Sequence, residues 1–376
     1  GGDIVIEDLI EDEPMVVTIT HQGLIKRTPV TAYRQQSRGG KGMKGTGRRD
    51  EDFVEHLFTS SAHDYLLVFT DNGICYWLRV YEIPEGGRTA RGRSLRNLIE
   101  IGQDDAIRTI LAVEKENFED EAFINENYVL MATRDGMVKK SVLERFSRPR
   151  SDGIIGIRIG EGDELLEATL TDGDTDVVLG SSSGRAIRFH ERDARPMGRD
   201  TQGVRGMDLQ EGEELVGLMA VTDESEQVLS VGSRGYGKRT PIDKYPPQSR
   251  NGKGVISLKT TDRVGDMMAL KGVREEDDLM IITASGIMIR MPVADISSMG
   301  RNTQGVRLIN LNEGDIIADV ARLIPEETGE GAEEEASENG EAEEGEKAAE
   351  GADDGDEEVS GEAADEGASE NGEPEG

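Results

Sequence analysis

The sequence predicts an all-β fold: a closed, propeller-like ring of six units, each a small antiparallel sheet. Three observations lead there. A glycine-centred turn recurs at Gly23, Gly73, Gly136, Gly184, Gly235 and Gly286, at intervals of 50, 63, 48, 51 and 51 residues. Each glycine sits between two apolar runs, and no segment carries a sustained 3.6-residue periodicity. Gly is plentiful at 47 and aromatics are scarce at 4%, which suits many short strands and turns. A period near 50 residues with several strands per repeat has the size of a propeller blade.

The turns come first. Asn72, Asp135 and Ser285 precede their glycines, and the flanks are apolar, as in Tyr128-Val129-Leu130-Met131 before Gly136. Gly adopts positive φ without steric cost, so this pattern predicts a β-hairpin in every unit. A further strand candidate, after a polar loop, precedes each hairpin: Ile107–Val113, 165–170, 215–221 and 267–270. The first unit has only residues 1–14 before it and lacks that strand, whereas 316–324 is a spare apolar run after the sixth. Pairing 316–324 with the sheet of 15–28 would close the ring and remove two exposed edges.

The domain division follows. Residues 1–14 read as an acidic N-terminal linker and 15–324 as the ring. The start of the chain, without Met or apolar leader, reads as a cut from something longer. Residues 325–376 hold 23 Asp or Glu against one Lys, with one Val (Val359) and no aromatics. Such a segment cannot offset its ordering entropy and is expected to be a disordered acidic tail.

The net charge of -34 argues against a polyanion partner only on average. Outside the tail it falls to -12, and the bases are segregated. From Pro14 to Arg49 there is no acid and there are eight bases: Lys26, Arg27, Arg34, Arg38, Lys41, Lys44, Arg48 and Arg49. Gly86 to Ile99 adds Arg88, Arg91, Arg93 and Arg96. Local field, not the sum, governs polyanion binding.

The chemistry lies in a loop after each hairpin, where an Arg is followed four residues later by Gly. The first reads Gln36-Ser37-Arg38-Gly39-Gly40-Lys41-Gly42 and the fifth Gln248-Ser249-Arg250-Asn251-Gly252-Lys253-Gly254. The fourth and sixth run from Gly198-Arg199 to Val204-Arg205 and from Gly300-Arg301 to Val306-Arg307. The second, around Arg91-Gly92-Arg93, and the third, around Arg148 and Arg150, are looser. Glycines let backbone N–H groups approach phosphate, and Arg and Lys neutralise it. No loop interleaves aromatics with its bases, which disfavours stacking on single strands. What remains is sequence-tolerant contact with a duplex backbone.

The first-unit heptapeptide resembles the gyrase A box, Gln-Arg-Arg-Gly-Gly-Lys-Gly, at every position except Ser37. With its decayed copies it makes residues 4–324 similar to the C-terminal domain of DNA gyrase A subunits. The resemblance implies a six-bladed β-pinwheel, in which neighbouring blades exchange a strand and double-stranded DNA wraps the outer rim. It carries the box onto Gln36, Ser37, Arg38, Gly39, Gly40, Lys41 and Gly42. The rim contacts expected around it are Arg34, Lys44, Arg48, Arg49, Arg88, Arg91, Arg93, Arg148, Arg150, Arg199, Arg205, Arg250, Lys253, Arg301 and Arg307. It also implies partners: the gyrase A cleavage domain and gyrase B in an A2B2 holoenzyme that supercoils DNA negatively. The setting is then bacterial cytoplasm, associated with the nucleoid, and the isolated chain is expected to be monomeric. The neighbouring possibilities are the related domain of topoisomerase IV, with fewer blades and a degenerate box, and a protein-interaction propeller.

Simple geometry supports a wrap. Four strands at ~4.8 Å spacing plus a narrow channel give a radius of roughly 25 Å and a circumference of about 160 Å. That is about 45 base pairs, and bending them through half a circle costs on the order of 10 kcal/mol. One box could hardly offset this, but basic loops around the rim could.

No catalytic role is expected of this chain itself. Gly40 to Gly45 matches G-x-G-x-x-G without a following helix, and no phosphate-binding G-x-x-x-x-G-K-[ST] occurs, so ATP and Mg2+ belong elsewhere in the holoenzyme. Tyr33 reads as packing, because the family's catalytic tyrosine lies in another domain. His21, His56, His63, His190 and the lone Cys75 make no metal spacing. One cysteine and the lack of any long apolar run fit a reduced compartment and no membrane span.

Overall fold

A computed structural model describes residues 6–20, 22–33, 54–87 and 89–323. Arg34, the box at 36–42, Lys44, Arg48, Arg49, Arg88, the Tyr33 side chain and the tail 325–376 lie outside the described residues.

All six hairpin glycines turn with positive φ, between 80° and 93°. In the first unit β1 (Pro14–Thr20) and β2 (Leu24–Pro29) make the hairpin and β3 (Val54–Ser61) follows. The second has β4 (Tyr65–Thr70), β5 (Ile74–Arg79), the short β6 (Arg93–Ser94) and β7 (Ile107–Val113). The third contributes β8 (Tyr128–Thr133), β9 (Met137–Val142), β10 (Ile154–Ile155) and β11 (Leu165–Thr171). The fourth adds β12 (Asp176–Ser181), β13 (Arg185–His190), β14 (Val204–Arg205) and β15 (Leu215–Val221). The fifth adds β16 (Gln227–Gly232), β17 (Tyr236–Pro241), β18 (Val255–Ile256) and β19 (Met267–Val273). The sixth ends the series with β20 (Asp278–Thr283), β21 (Met288–Pro292), β22 (Val306–Arg307) and β23 (Ile317–Leu323).

Each two-residue strand leaves its own unit and pairs with the hairpin of the preceding one. The sheets run β3-β1-β2-β6, β10-β5-β4-β7, β11-β8-β9-β14, β15-β12-β13-β18 and β19-β16-β17-β22, with β21-β20-β23 in the sixth blade among the described residues. The long third strands pack against one another around the centre, β7 on β11, β11 on β15, β15 on β19 and β19 on β23, and β23 on β3 closes the ring. The exchanged strands therefore form the outer edge. This is the six-bladed, strand-exchanged architecture that the repeat and the resemblance imply.

The allocation of third strands differs from the sequence reading. The run at 316–324 does not join the sheet of 15–28; β23 pairs with β20 from Asp278↔Leu323 to Thr283↔Ile317. The first unit is not deficient, because β3 fills the free edge of β1. Each third strand belongs to the hairpin before it, not after it. Antiparallel pairing across a long intervening loop leaves no local trace in composition, and apolar runs on either side look alike.

The core lies between blades. Leu66 and Val68 of β4 pack with Met15, Val17 and Ile19 of the first blade, while Leu67 and Phe69 pack with Val129 and Met131 of the third. Successive side chains point to opposite faces, so a sheet buried on both faces needs an unbroken apolar strand rather than an alternating one. Each buried Leu, Val or Phe contributes about 1.5–3 kcal/mol.

Two details were not legible. The 63-residue interval holds two short helices, α1 (Lys115–Phe118) and α2 (Glu121–Glu126), the latter capped by the Asp120 side chain accepting from the Ala122 N–H at 3.0 Å. One or two turns are too short to show a period. At the N-terminus, residues expected to be a linker dock instead. A 3-10 turn, Ile6–Leu9, buries Glu7 against Arg79 at 2.6 Å and Lys115 at 3.1 Å. No helix among the described residues is long and apolar enough to cross a membrane.

Candidate nucleic-acid interface

The outer strands are held by the hairpins they visit. The hairpin carbonyls of Gly23, Gly73, Gly136, Gly184 and Gly235 accept from the N–H groups of Leu95, Gly156, Gly206, Ser257 and Leu308, at 2.7–2.9 Å. The loop's last glycine makes this approach possible. A Cβ on Gly203 would lie 2.2 Å from the Val138 carbonyl and one on Gly254 2.4 Å from that of Ala186, both at positive φ. These two glycines serve strand exchange, where the sequence reading assigned loop glycines to phosphate approach.

A set of buried cations lies beneath the loops. Three residues after the hairpin glycine, Lys26, Lys139 and Lys238 are each buried. Lys26 Nζ donates to the Gly87 and Ala90 carbonyls at 3.0 and 2.8 Å. Lys139 donates to the carbonyls of Gly156 and Arg199. Lys238 donates to those of Gly300 (2.8 Å), Arg301 (2.5 Å) and Thr303 (3.1 Å). Burial, with Arg199 nearby, lowers the Lys139 pKa to about 7; burial, with Arg301 and Lys259, lowers that of Lys238 to about 8. One residue further on, Arg27, Lys140, Arg188 and Arg239 donate to the carbonyls of Ile83, Glu191, Ile242 and Ile296 at 2.7–3.2 Å, and Trp77 does the same to Phe146 at 2.8 Å. Sequence reasoning missed this set and counted Lys26 and Arg27 within a surface stripe. The available signal was their fixed register from the turn.

The expected rim cations fall into two groups. Arg91, Arg93, Arg148, Arg150, Arg205, Lys253 and Arg307 are exposed on the outer strands or the loops leading to them. Some have partners: Arg148 with Glu144 at 2.9 Å, Arg150 with Asp152 at 3.2 Å, and Arg307 with the Tyr236 hydroxyl at 2.9 Å. Arg199, Arg250 and Arg301 are half-buried and donate to the carbonyls of Ile155 (3.2 Å), Arg205 (2.5 Å) and Ile256 (3.0 Å). Between the second and third exchanged loops opens a cleft of about 560 Å³, lined by Arg145, Arg150 and Arg199 but also by Asp152 and Asp200. The two carboxylates offset two of those three arginines, so the net positive field there is modest; Asp200 also pairs with Arg158 at 2.9 Å. Lys253 and Arg307 have fewer acids beside them along the loop sequence and project a clearer one, whereas Arg205 shares a cleft with Asp135, Asp163 and Glu213.

The comparisons with known proteins agree with this frame. The family model described as "DNA gyrase C-terminal domain, beta-propeller" matches six times, at residues 14–61, 64–114, 127–172, 175–222, 226–271 and 277–323. Each match begins with a hairpin and ends near its third strand, as the blades do. The DNA gyrase A protein of Staphylococcus epidermidis is 43% identical over 330 residues, 87% of this chain and 36% of that protein. That of Pseudomonas aeruginosa is 39% identical over 357 residues, 85% of this chain and 39% of that protein. The chain thus spans little more than a third of these relatives. A solved DNA gyrase A C-terminal domain superposes with a TM-score of 0.71 at 27% identity, covering 83% of this chain and all of the other. The C-terminal domain of DNA topoisomerase IV shares the fold, with a TM-score of 0.67 at 24% identity over 88% of this chain and 99% of that one.

Proposed function

For a chain that belongs to the DNA gyrase C-terminal β-propeller family, we propose that the outer rim binds and wraps double-stranded DNA without reading its sequence. The observation that carries the reading is the repeated placement of exposed cations at the outer edge of successive blades: Arg91 and Arg93, Arg148 and Arg150, Arg205, Lys253, and Arg307. A duplex is a stiff, uniform polyanion, so binding along a curved path needs cations at regular arc length rather than one strong site. The box at 36–42, with Arg34, Lys44, Arg48, Arg49 and Arg88, would add the densest positive segment.

In the longer protein, wrapping would hand a DNA segment of one handedness to a cleavage domain, and ATP bound to a partner protein would drive its passage, giving negative supercoils. This chain's share is to bend and present, with no covalent step. Partners would be the cleavage domain of the same polypeptide and gyrase B, in bacterial cytoplasm.

A duplex-length series tests the reading. Affinity should climb as the DNA lengthens towards about 45 base pairs, the rim's estimated circumference, and then level off. A propeller that binds proteins, with incidental surface bases, would show no such length dependence.

A further inference from the structure

The three in-phase arginines of the third, fourth and fifth exchanged loops do not point at open solvent. Each crosses a junction between neighbouring loops. Arg199, before β14, donates to Ile155 of β10; Arg250, before β18, donates to Arg205 of β14; Arg301, before β22, donates to Ile256 of β18. The acceptor is always the second residue of the preceding outer strand. Arg250 and Arg301 each reach a further carbonyl through Nε, that of Asp193 at 3.1 Å and of Lys244 at 2.6 Å.

A main-chain bond repeats at the same three junctions. Arg158, Asp208 and Lys259 donate to the carbonyls of Thr201, Gly252 and Thr303 at 2.9, 2.9 and 2.8 Å. In each pair the donor lies five residues after one loop's last glycine and the acceptor two residues before the next loop's. The four loops at 148–158, 199–208, 250–259 and 301–307 are thereby joined head to tail into a belt. The planar guanidinium is suited to this, because its fork can hold two carbonyls at fixed directions.

Resting on the DNA reading above, we infer that Arg199, Arg250 and Arg301 are positioning residues that fix the spacing of the rim loops, while Arg205, Lys253 and Arg307 of the same loops take the phosphates. Arg205 shows the division within one residue: Arg250 holds its carbonyl, and its side chain is exposed. Were a staple arginine drawn onto phosphate, it would release a carbonyl and loosen the arc along which the duplex must bend.

The salt dependence of DNA binding separates the two roles, since each lost phosphate contact lowers the log–log slope by about 0.9. The full 376-residue chain is compared with two triple variants on a duplex of about 45 base pairs. Arg205→Gln/Lys253→Gln/Arg307→Gln should lower the slope by about 3. Arg199→Gln/Arg250→Gln/Arg301→Gln should change it by less than about 1, yet, on relaxed closed circular DNA, reduce the linking-number shift per bound chain at least twofold. A fall of about 3 in that second set would overturn the assignment. Single Arg→Lys variants keep the charge but lose the fork, and they cover the case in which the triple fails to fold. They should lose wrapping as well, and full wrapping by Lys at these positions would also overturn it. A parent chain whose own slope is near zero would instead overturn the DNA reading itself.

Discussion

Raising the pH from about 7 to about 8.5 should stabilise the fold, with Lys139 as the main source. Its ammonium is buried, reaches only backbone carbonyls, and has a pKa lowered to about 7, against 10.5 for an ordinary lysine. Below pH 7 folded and unfolded chains both carry that proton, and the burial penalty is complete. Between the two values the unfolded chain holds one proton more than the folded one, so stability rises with pH at up to ~1.4 kcal/mol per unit. Integrated over this window, Lys139 contributes about 2 kcal/mol and Lys238, at about 8, about 1 kcal/mol. The window stops short of strong thiolate formation by the unfolded Cys75, whose folded thiol burial pushes up and which would act in the opposite direction. Denaturant unfolding followed by the single Trp77, at several pH values, reads the effect. Lys139→Met should flatten most of the slope. Stability that stays level or falls across the window, or a rise undiminished in Lys139→Met, would refute the reasoning.

Other outcomes follow from the same geometry. Gly254→Ala places a Cβ 2.4 Å from the Ala186 carbonyl at φ +74° and should cost about 2 kcal/mol or more in chemical denaturation. Gly198→Ala meets nothing within 4 Å and should stay within about 0.5 kcal/mol. Glu7→Ala removes the partner of Arg79 and Lys115, so limited proteolysis should cut within residues 6–13 several-fold faster; an unchanged cutting rate would mean the turn is held otherwise. Removing residues 325–376, with a net charge of -22, should tighten DNA binding at moderate salt, because a tethered polyanion competes with the duplex. Superimposable isotherms for full and shortened chains would count against that competition.

The hairpins were legible because two independent local signals coincide at each: a glycine free to adopt positive φ and apolar runs on both sides of it. The ring was legible because six such signals recur near 50 residues. Ownership of the third strand was not. Val54–Ser61 lies far along the chain from β2, yet pairs with β1, and nothing local distinguishes it from a strand belonging to the next hairpin. Charge was the least reliable guide. Lys26 and Arg27 stand in a stretch without a single acid and look like surface, but both are turned inward onto carbonyls. Only their register from Gly23, shared by Lys139 and Lys140 from Gly136, marks them as interior. Of the arginines repeated in phase and expected at phosphate, Arg199, Arg250 and Arg301 lie across the seams between blades. A repeat period reveals that a residue matters to every blade without saying whether it faces a ligand or a neighbour.

The wrap itself is most directly measured by topology. Relaxed circular DNA is incubated with the chain, a nicking-closing topoisomerase is added, and the linking number is read after the protein is removed. A duplex curled along the rim predicts a shift of one sign, proportional to bound chain, and much reduced when Arg38, Gly39, Gly40 and Lys41 are replaced by alanine. Saturating binding with no change in linking number would contradict the account.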